Sequence, residues 1–144
     1  MRKHTVRIKW NYPILLENVY CKEAVNGHGI YCITRKYGDS EKIIYIGKTM
    51  DSFEHRLKSH ERSWLFEVKG TIYVRLGLVI SPAAYDNDFL EDIESALIYE
   101  LQPPYNVSKT VNYIYRTNYF IRLLSEGFRG KIPKRIDARE HLEE

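Results

Sequence analysis

The tract that most limits how this chain can fold is "GIYCITRKYGDSEKIIYIGKT", Gly29 to Thr49. Two runs rich in aromatic and β-branched residues flank the turn-forming "YGDS". That pattern predicts a β-hairpin, with a strand over Gly29–Arg35, a turn through Tyr37–Glu41 and a return strand over Lys42–Gly47. Each arm carries a tyrosine two positions from a glycine: Tyr31 with Gly29, and Tyr45 with Gly47. Glycine weakens a strand interior and marks a close approach of backbone or ligand. A hairpin with a glycine-flanked phenol on each arm therefore needs an explanation beyond strand propensity.

Around the hairpin the chain reads as α+β. "TVRIKW" alternates, with Val6, Ile8 and Trp10 on one face and Arg7 and Lys9 on the other, as in a half-buried strand. "YPILLENVYCKEAV" predicts a loop and a short helix. Asp51, with Glu54 three residues later, suits the capping box of a helix running to about Phe66. Gly70–Ile80 predicts a strand, and Asp88–Leu101 a second helix that Pro103 and Pro104 end. "TNYFIRLLSEG" fits a short helix capped by Thr117 and stopped by Gly127, followed by an exposed tail. The expected fold is one small α+β domain over residues 1–144. A mainly antiparallel three-stranded sheet, open to extension by the N-terminal strand, carries flanking helices. Residues 29–106 form its core, between an N-terminal strand and helix extension (1–28) and a basic, aromatic-rich C-terminal extension (107–144).

Length and composition fit one domain with a real core. The net charge of +3 permits an anionic partner without demonstrating one. Cys21 and Cys32 have no metal-ligand spacing and read as reduced, buried packing residues. No run is long enough to span a membrane, and the N-terminal residues lack the apolar run of a signal peptide, so the default compartment is the cytoplasm.

Two helices carry polar groups where the periodicity calls for apolar ones. At about 100° per residue, Phe53, Leu57 and Trp64 share one stripe, with His60 in its middle and Arg56 at its edge. On the second helix Glu94 projects among Leu90, Ile93, Leu97, Ile98 and Leu101. A dry, unpaired carboxylate costs several kcal/mol, so Glu94 needs a cation, a hydrogen-bond network or a wet cleft. An internal pair between Glu94 and Arg56, a satisfied core His60 and a surface Arg56 are the bland alternatives. Three such groups on two faces packing against one sheet favour a shared polar site.

With these residues in view, the chain resembles the GIY-YIG nuclease superfamily. The resemblance runs through "GIY" (Gly29, Ile30, Tyr31), "YIGKT" (Tyr45 to Thr49), "FEHRLKSH" and "IESALIYELQPPYN" to Asn106, about half of the chain. "IKWNYP" and the short length look similar to small stand-alone prokaryotic members. The resemblance implies metal-dependent cleavage of phosphodiester bonds in DNA. It makes Glu94 the single protein ligand to Mg2+ (or Mn2+) and Arg56 a contact to the scissile phosphate. Tyr31 and Tyr45 sit beside the attacking water, Lys48 helps hold the nucleophile or phosphate, His60 stands where members carry His or Tyr, and Asn106 shapes the site. One tyrosine, made phenolate by nearby cations, takes a proton from water with His60 as relay or hydrogen-bond partner. Tyr31 is the first choice for that base with Tyr45 orienting the water, and the reverse stays open. Gly29 and Gly47 leave room for phosphate beside the strands.

His4, His28, His55 and His141 lack metal-ligand spacing; His55 reads as solvated and His28 as a residue that could border the cleft. Asp86, Asp88, Glu91 and Asp92 read as favourable charge at a helix N-terminus, with a second metal as the minor alternative. Lys109–Arg139 holds eight basic and two acidic residues with Tyr113, Tyr115, Tyr119, Phe120 and Phe128 interleaved. These groups could meet phosphates and bases or simply pack on the sheet. A non-catalytic nucleic-acid-binding module on the same fold is the alternative function. Monomer and homodimer both remain open.

Overall fold

The structure, a computed structural model, describes residues 2–106 and 119–138. Its strands are β1 (Arg2–Trp10), β2 (Ile14–Leu15), β3 (Gly29–Tyr37), β4 (Ser40–Thr49), β5 (Thr71–Ser81), β6 (Tyr119–Gly127) and β7 (Arg135–Asp137). Its helices are α1 (Leu16–Val19), α2 (Phe53–Ser63) and α3 (Asn87–Leu101). The strands form one seven-stranded mixed sheet in the order β4-β3-β5-β1-β6-β7, with β2 pairing β5 off that path.

The expected three-stranded sheet is corrected by this topology. Its hairpin and third strand exist as the antiparallel unit β4-β3-β5. That unit continues through β1, antiparallel to β5 at Ile8↔Val79, and through β6, parallel to β1 from Arg2↔Tyr119 to Trp10↔Gly127. Where a helix was expected over "TNYFIRLLSEG", the described part, Tyr119–Gly127, is therefore a strand, and the exposed tail expected after it contains β7. Ile121, Leu123 and Ser125 are buried and alternate with half-buried Arg122, Leu124 and Glu126, a period of two. The same segment satisfies a helical pattern locally, but β1 otherwise offers an unpaired edge, and pairing it decides the outcome. Trp10 then donates its indole N–H to Ser125 Oγ at 3.1 Å inside the core.

Both faces of the central sheet are covered. Ile30 and Cys32 of β3 point to the core beneath α3, with Leu90, Ile93, Leu97, Ile98 and the inward side of β1 and β6. Tyr31 and Ile33 point the other way, to Phe53 and Leu57 of α2. Two-sided burial explains why "GIYCIT" is an almost unbroken apolar run. Cys32 is buried as expected, but Cys21 is exposed, because the short turns after α1 lie at the surface. Burial pushes the Cys32 thiol up to about 12.

The helix ends differ slightly from the expected ones. Ser52, not Asp51, caps α2, its Oγ accepting from the His55 N–H at 3.2 Å. Asp51 instead donates its own N–H to Thr49 Oγ1 at 3.0 Å. Helix α2 stops at Ser63, and a 3-10 turn carries the chain through Leu65–Glu67. Asp86 caps α3 by accepting from the Phe89 N–H at 2.8 Å. No helix among the described residues is long and apolar enough to cross a membrane.

Candidate active site

The site forms at the β4 edge of the sheet, where the two helices from opposite faces meet the end of one strand. Register places Tyr31 opposite Gly47, and Ile33 opposite Tyr45. The two phenols are thus diagonal neighbours on one face, with ring centroids 6.2 Å apart and planes at 30°. The two glycines make room first for the protein's own atoms. A Cβ at Gly47 would overlap the Tyr31 ring and hydroxyl, so the missing side chain is what lets the phenol lie flat across β4. Gly29, at φ 143°, sits against the carbonyl oxygen of Gly77 on β5.

Helix α2 lays its polar groups onto these rings. His60, in the middle of the stripe that begins with Phe53 and Leu57, is buried. Its Nε2 lies 2.7 Å from Tyr31 Oη, and its Nδ1 accepts the Trp64 indole N–H at 2.9 Å. Its ring also meets Tyr45 edge-on at 4.7 Å. Trp64 in turn stacks on Tyr105 at 4.8 Å and 20°. Arg56, one turn before His60, is half-buried, and its positive charge pulls on the pKa of both phenols. The bland reading of His60 as satisfied at both nitrogens is correct as geometry, with Tyr31 on one side and Trp64 on the other.

Helix α3 completes the enclosure from the other face. Glu94, 9% exposed, lines a hollow of about 520 Å³ together with Lys48, Thr49, Met50, Asp51, Arg56 and Glu91. Lys48 Nζ donates to Asn87 Oδ1 at 3.0 Å, which ties the β4 lysine to the first turn of α3. Asn106 fixes the chain leaving α3 against the β4 edge. Its Oδ1 accepts from the Ile46 N–H and its Nδ2 donates to the Ile46 C=O, both at 2.8 Å. Of the seven residues singled out from the sequence, Lys48, Arg56 and Glu94 line this hollow, Tyr31, Tyr45 and His60 form one cluster of rings, and Asn106 holds the β4 backbone next to Tyr45.

The electrostatics depart from expectation in one respect. Burial raises the Tyr31 pKa well above the usual phenol range, Tyr45 adds to the shift, and Arg56 offsets only part of it. Tyr45 is raised as well, first by burial and then by the Glu94 charge, against the pull of Arg56 and of the Tyr31 hydroxyl. Desolvation outweighs the nearby cations, so neither phenol rests as phenolate at neutral pH. His60 is pushed down to about 4, by burial and then by Arg56, and is neutral.

Three contributors escaped the sequence reading. Glu91 was grouped with the acids at the α3 N-terminus, but it is three residues before Glu94 and lines the same hollow. The i, i+3 spacing was the available signal. Asn87 holds Lys48, and Trp64, taken as part of an apolar stripe, supplies a polar N–H. Asp86, Asp88, Asp92 and His4 line a separate hollow of about 440 Å³. His28 is exposed and tilts against Tyr85 at 6.0 Å rather than lining the hollow, and His55 is exposed as expected.

The basic extension is divided. Arg122 and Arg135 both pair with Asp137, Arg129 donates to the Ile132 carbonyl, and Phe128 is exposed against Tyr12. Lys109, Tyr113, Tyr115, Arg116, Thr117, Arg139 and His141 lie outside the described residues.

Hard divalent cations take oxygen ligands and use only one or two carboxylates, with water and phosphate filling the rest. Glu94 and Glu91 offer such a donor set at a hollow that also has room for water. No group of three or more His, Cys, Asp or Glu side chains suited to a metal is present among the described residues. The hollow is lined by carboxylates and by no thiolate, an oxygen donor set of the kind hard cations take. No family model, curated protein or solved structure matches the chain.

Proposed function

We propose that this protein is a metal-dependent DNA endonuclease of the GIY-YIG type, acting from the cytoplasm. The observation that carries the reading is the hollow that Arg56 and Lys48 line together with Glu94 and Glu91. Cations for a phosphate and carboxylates for a metal share that hollow, and the charges of Arg56 and Glu94 both act on the Tyr31 and Tyr45 phenols.

Arg56 holds the non-bridging oxygens of the scissile phosphate with its planar fork and binds more strongly as charge develops there. Lys48, braced by Asn87, adds a second positive charge at the same phosphate. Glu94 would hold the metal ion, with Glu91 one turn away on the same face. When bound, a divalent ion supplies Lewis-acid stabilisation of the phosphate and the leaving oxygen. One phenol would first release its own proton to bulk solvent, favoured by the Arg56 charge beside it, and the phenolate so formed would then take the proton of the attacking water while the leaving oxygen is protonated from solvent. Asn106 keeps the β4 edge and the end of α3 in register.

Purified protein, plasmid DNA and magnesium test this. The expected product is a metal-dependent nick, one strand per encounter from one hollow per chain. Glu94→Ala is expected to lower nicking by at least 10²-fold while the far-ultraviolet circular dichroism stays that of the wild type. Salt-sensitive DNA retention with no cleavage at any metal concentration would instead favour the binding-module reading. Absence of both sinks nucleic-acid function altogether.

A further inference from the structure

We propose that Trp64 is a positioning residue that locks His60 in its Nε2–H tautomer, so that His60 donates a hydrogen bond to Tyr31 and does not take its proton. The inference rests on the nuclease reading for its consequence, but its hydrogen-bond assignment stands on geometry alone.

The argument begins with donor inventory. An indole nitrogen is a donor and never an acceptor. Trp64 Nε1 lies 2.9 Å from His60 Nδ1, so that nitrogen is the bare, accepting one. A neutral imidazole carries one proton, which then sits on Nε2. Nε2 is 2.7 Å from Tyr31 Oη, so the imidazole N–H points at the phenol oxygen. The groups facing His60 agree with a neutral ring. Tyr31 on β3 and Tyr45 on β4 bring no charge at neutral pH, and Arg56 on its own helix is a cation that opposes a second one. A charged imidazolium would also turn an N–H toward the Trp64 N–H, donor against donor.

The direction matters for the chemistry. With its oxygen accepting from His60, Tyr31 keeps its own hydroxyl proton for another acceptor. The donors thus run in one sense, from Trp64 to His60 to Tyr31, and the Tyr45 ring stacks beside that of Tyr31 at 6.2 Å. Tyr31 is fully buried, whereas Tyr45 is only half-buried. Tyr45 is therefore the phenol that solvent can reach, able to release its own proton to bulk water and then, as phenolate, to take one from the attacking water. This reverses the first choice made from sequence, where Tyr31 was the base. Tyr105 holds the upstream end, since its ring covers that of Trp64 at 4.8 Å and its own N–H donates to the Ile44 carbonyl at 3.0 Å.

The test uses protein labelled with nitrogen-15 at histidine. Long-range proton–nitrogen spectra of the wild type at neutral pH are expected to show His60 with a protonated Nε2 and a bare Nδ1. Trp64→Phe, which keeps the stack on Tyr105 but removes the donor, is expected to admit the Nδ1–H tautomer and to lower nicking about tenfold. His60→Gln presents a donor where Nε2 stood and cannot accept a proton as a base. It is expected to nick at least tenfold faster than His60→Ala. An Nδ1–H wild-type histidine, or a His60→Gln variant no better than His60→Ala, overturns the proposal. A wild type that holds the Nε2–H tautomer but never nicks DNA sinks the nuclease reading and leaves the Trp64 assignment standing.

Discussion

Gly47 illustrates how a single residue can be legible in position and opaque in purpose. The sequence placed it on the second arm of a hairpin and marked a close approach, and both inferences hold. What approaches is the Tyr31 ring from the neighbouring strand, not a ligand. Strand periodicity gives the face of a side chain, but not which cross-strand neighbour lies across a glycine. Gly47→Ala is therefore expected to act as overpacking beneath the phenol. Such insertions cost about 1–3 kcal/mol, and urea denaturation checks that figure. The displaced Tyr31 oxygen should also lose its contact with His60, so nicking is expected to fall more than stability alone accounts for. An unchanged denaturation midpoint would mean that the ring shifts freely and that no glycine is needed.

At the level of elements, legibility followed local pattern and failed where tertiary pairing decided. The hairpin, β5, α2 and α3 have strong periodicity bounded by turn or cap residues, and their spans were readable within a few positions. His60 and Glu94 were visible because each breaks an apolar stripe on a helix whose phase was already clear. Residues 119–127 carried no such guarantee, because Ile121, Leu123 and Leu124 suit a helix face and a strand face alike. Only the free edge of β1 selects the strand, and an edge is a property of the assembled sheet. Trp64 and Glu91 were missed for a related reason, since spacing shows that they share a face with site residues but not that they reach the site. The pairing of β6 with β1 makes a direct prediction. Leu123 of β6 is buried in the core cluster that also holds the apolar face of α3, so Leu123→Ala should destabilise the protein by about 2–5 kcal/mol. A solvent-exposed, frayed segment would instead tolerate the change, and a denaturation curve superimposable on that of the wild type would remove β6 from the core.

Across the whole molecule, the groups whose lowered pKa matters below neutrality fall into two sets that acid should separate. The first is His60, at the β4 edge. Its folded pKa of about 4 lies below the ordinary histidine value of 6.5, so between those limits the unfolded chain binds a proton that the folded one refuses. Its contribution is complete above pH 6.5 and is lost as the pH falls toward about 4. The second set lies along the β3–β4 hairpin and the far edge of the sheet. Glu41 is buried enough for desolvation to oppose its charge, but the Arg75 guanidinium at 2.7 Å holds it below the usual carboxylate range. Asp137, bonded by Arg135 and also by Arg122, is lowered too. For these carboxylates stability is present above their unfolded values of 4.5 and 3.8 and disappears as the pH falls through the depressed folded ones. Urea midpoints collected from pH 8 down to pH 3 should therefore decline in two stages, the first between about 6.5 and 4 and the second below it. His60→Gln replaces the titrating ring with a neutral donor and should flatten the first stage alone. Arg75→Met removes the cation facing Glu41 and should weaken the second while leaving the slope between pH 6.5 and 4.5 in place. If the upper stage survives His60→Gln unchanged, the proton refused by the folded protein belongs to another group, and the neutral imidazole at the centre of the phenol pair is excluded.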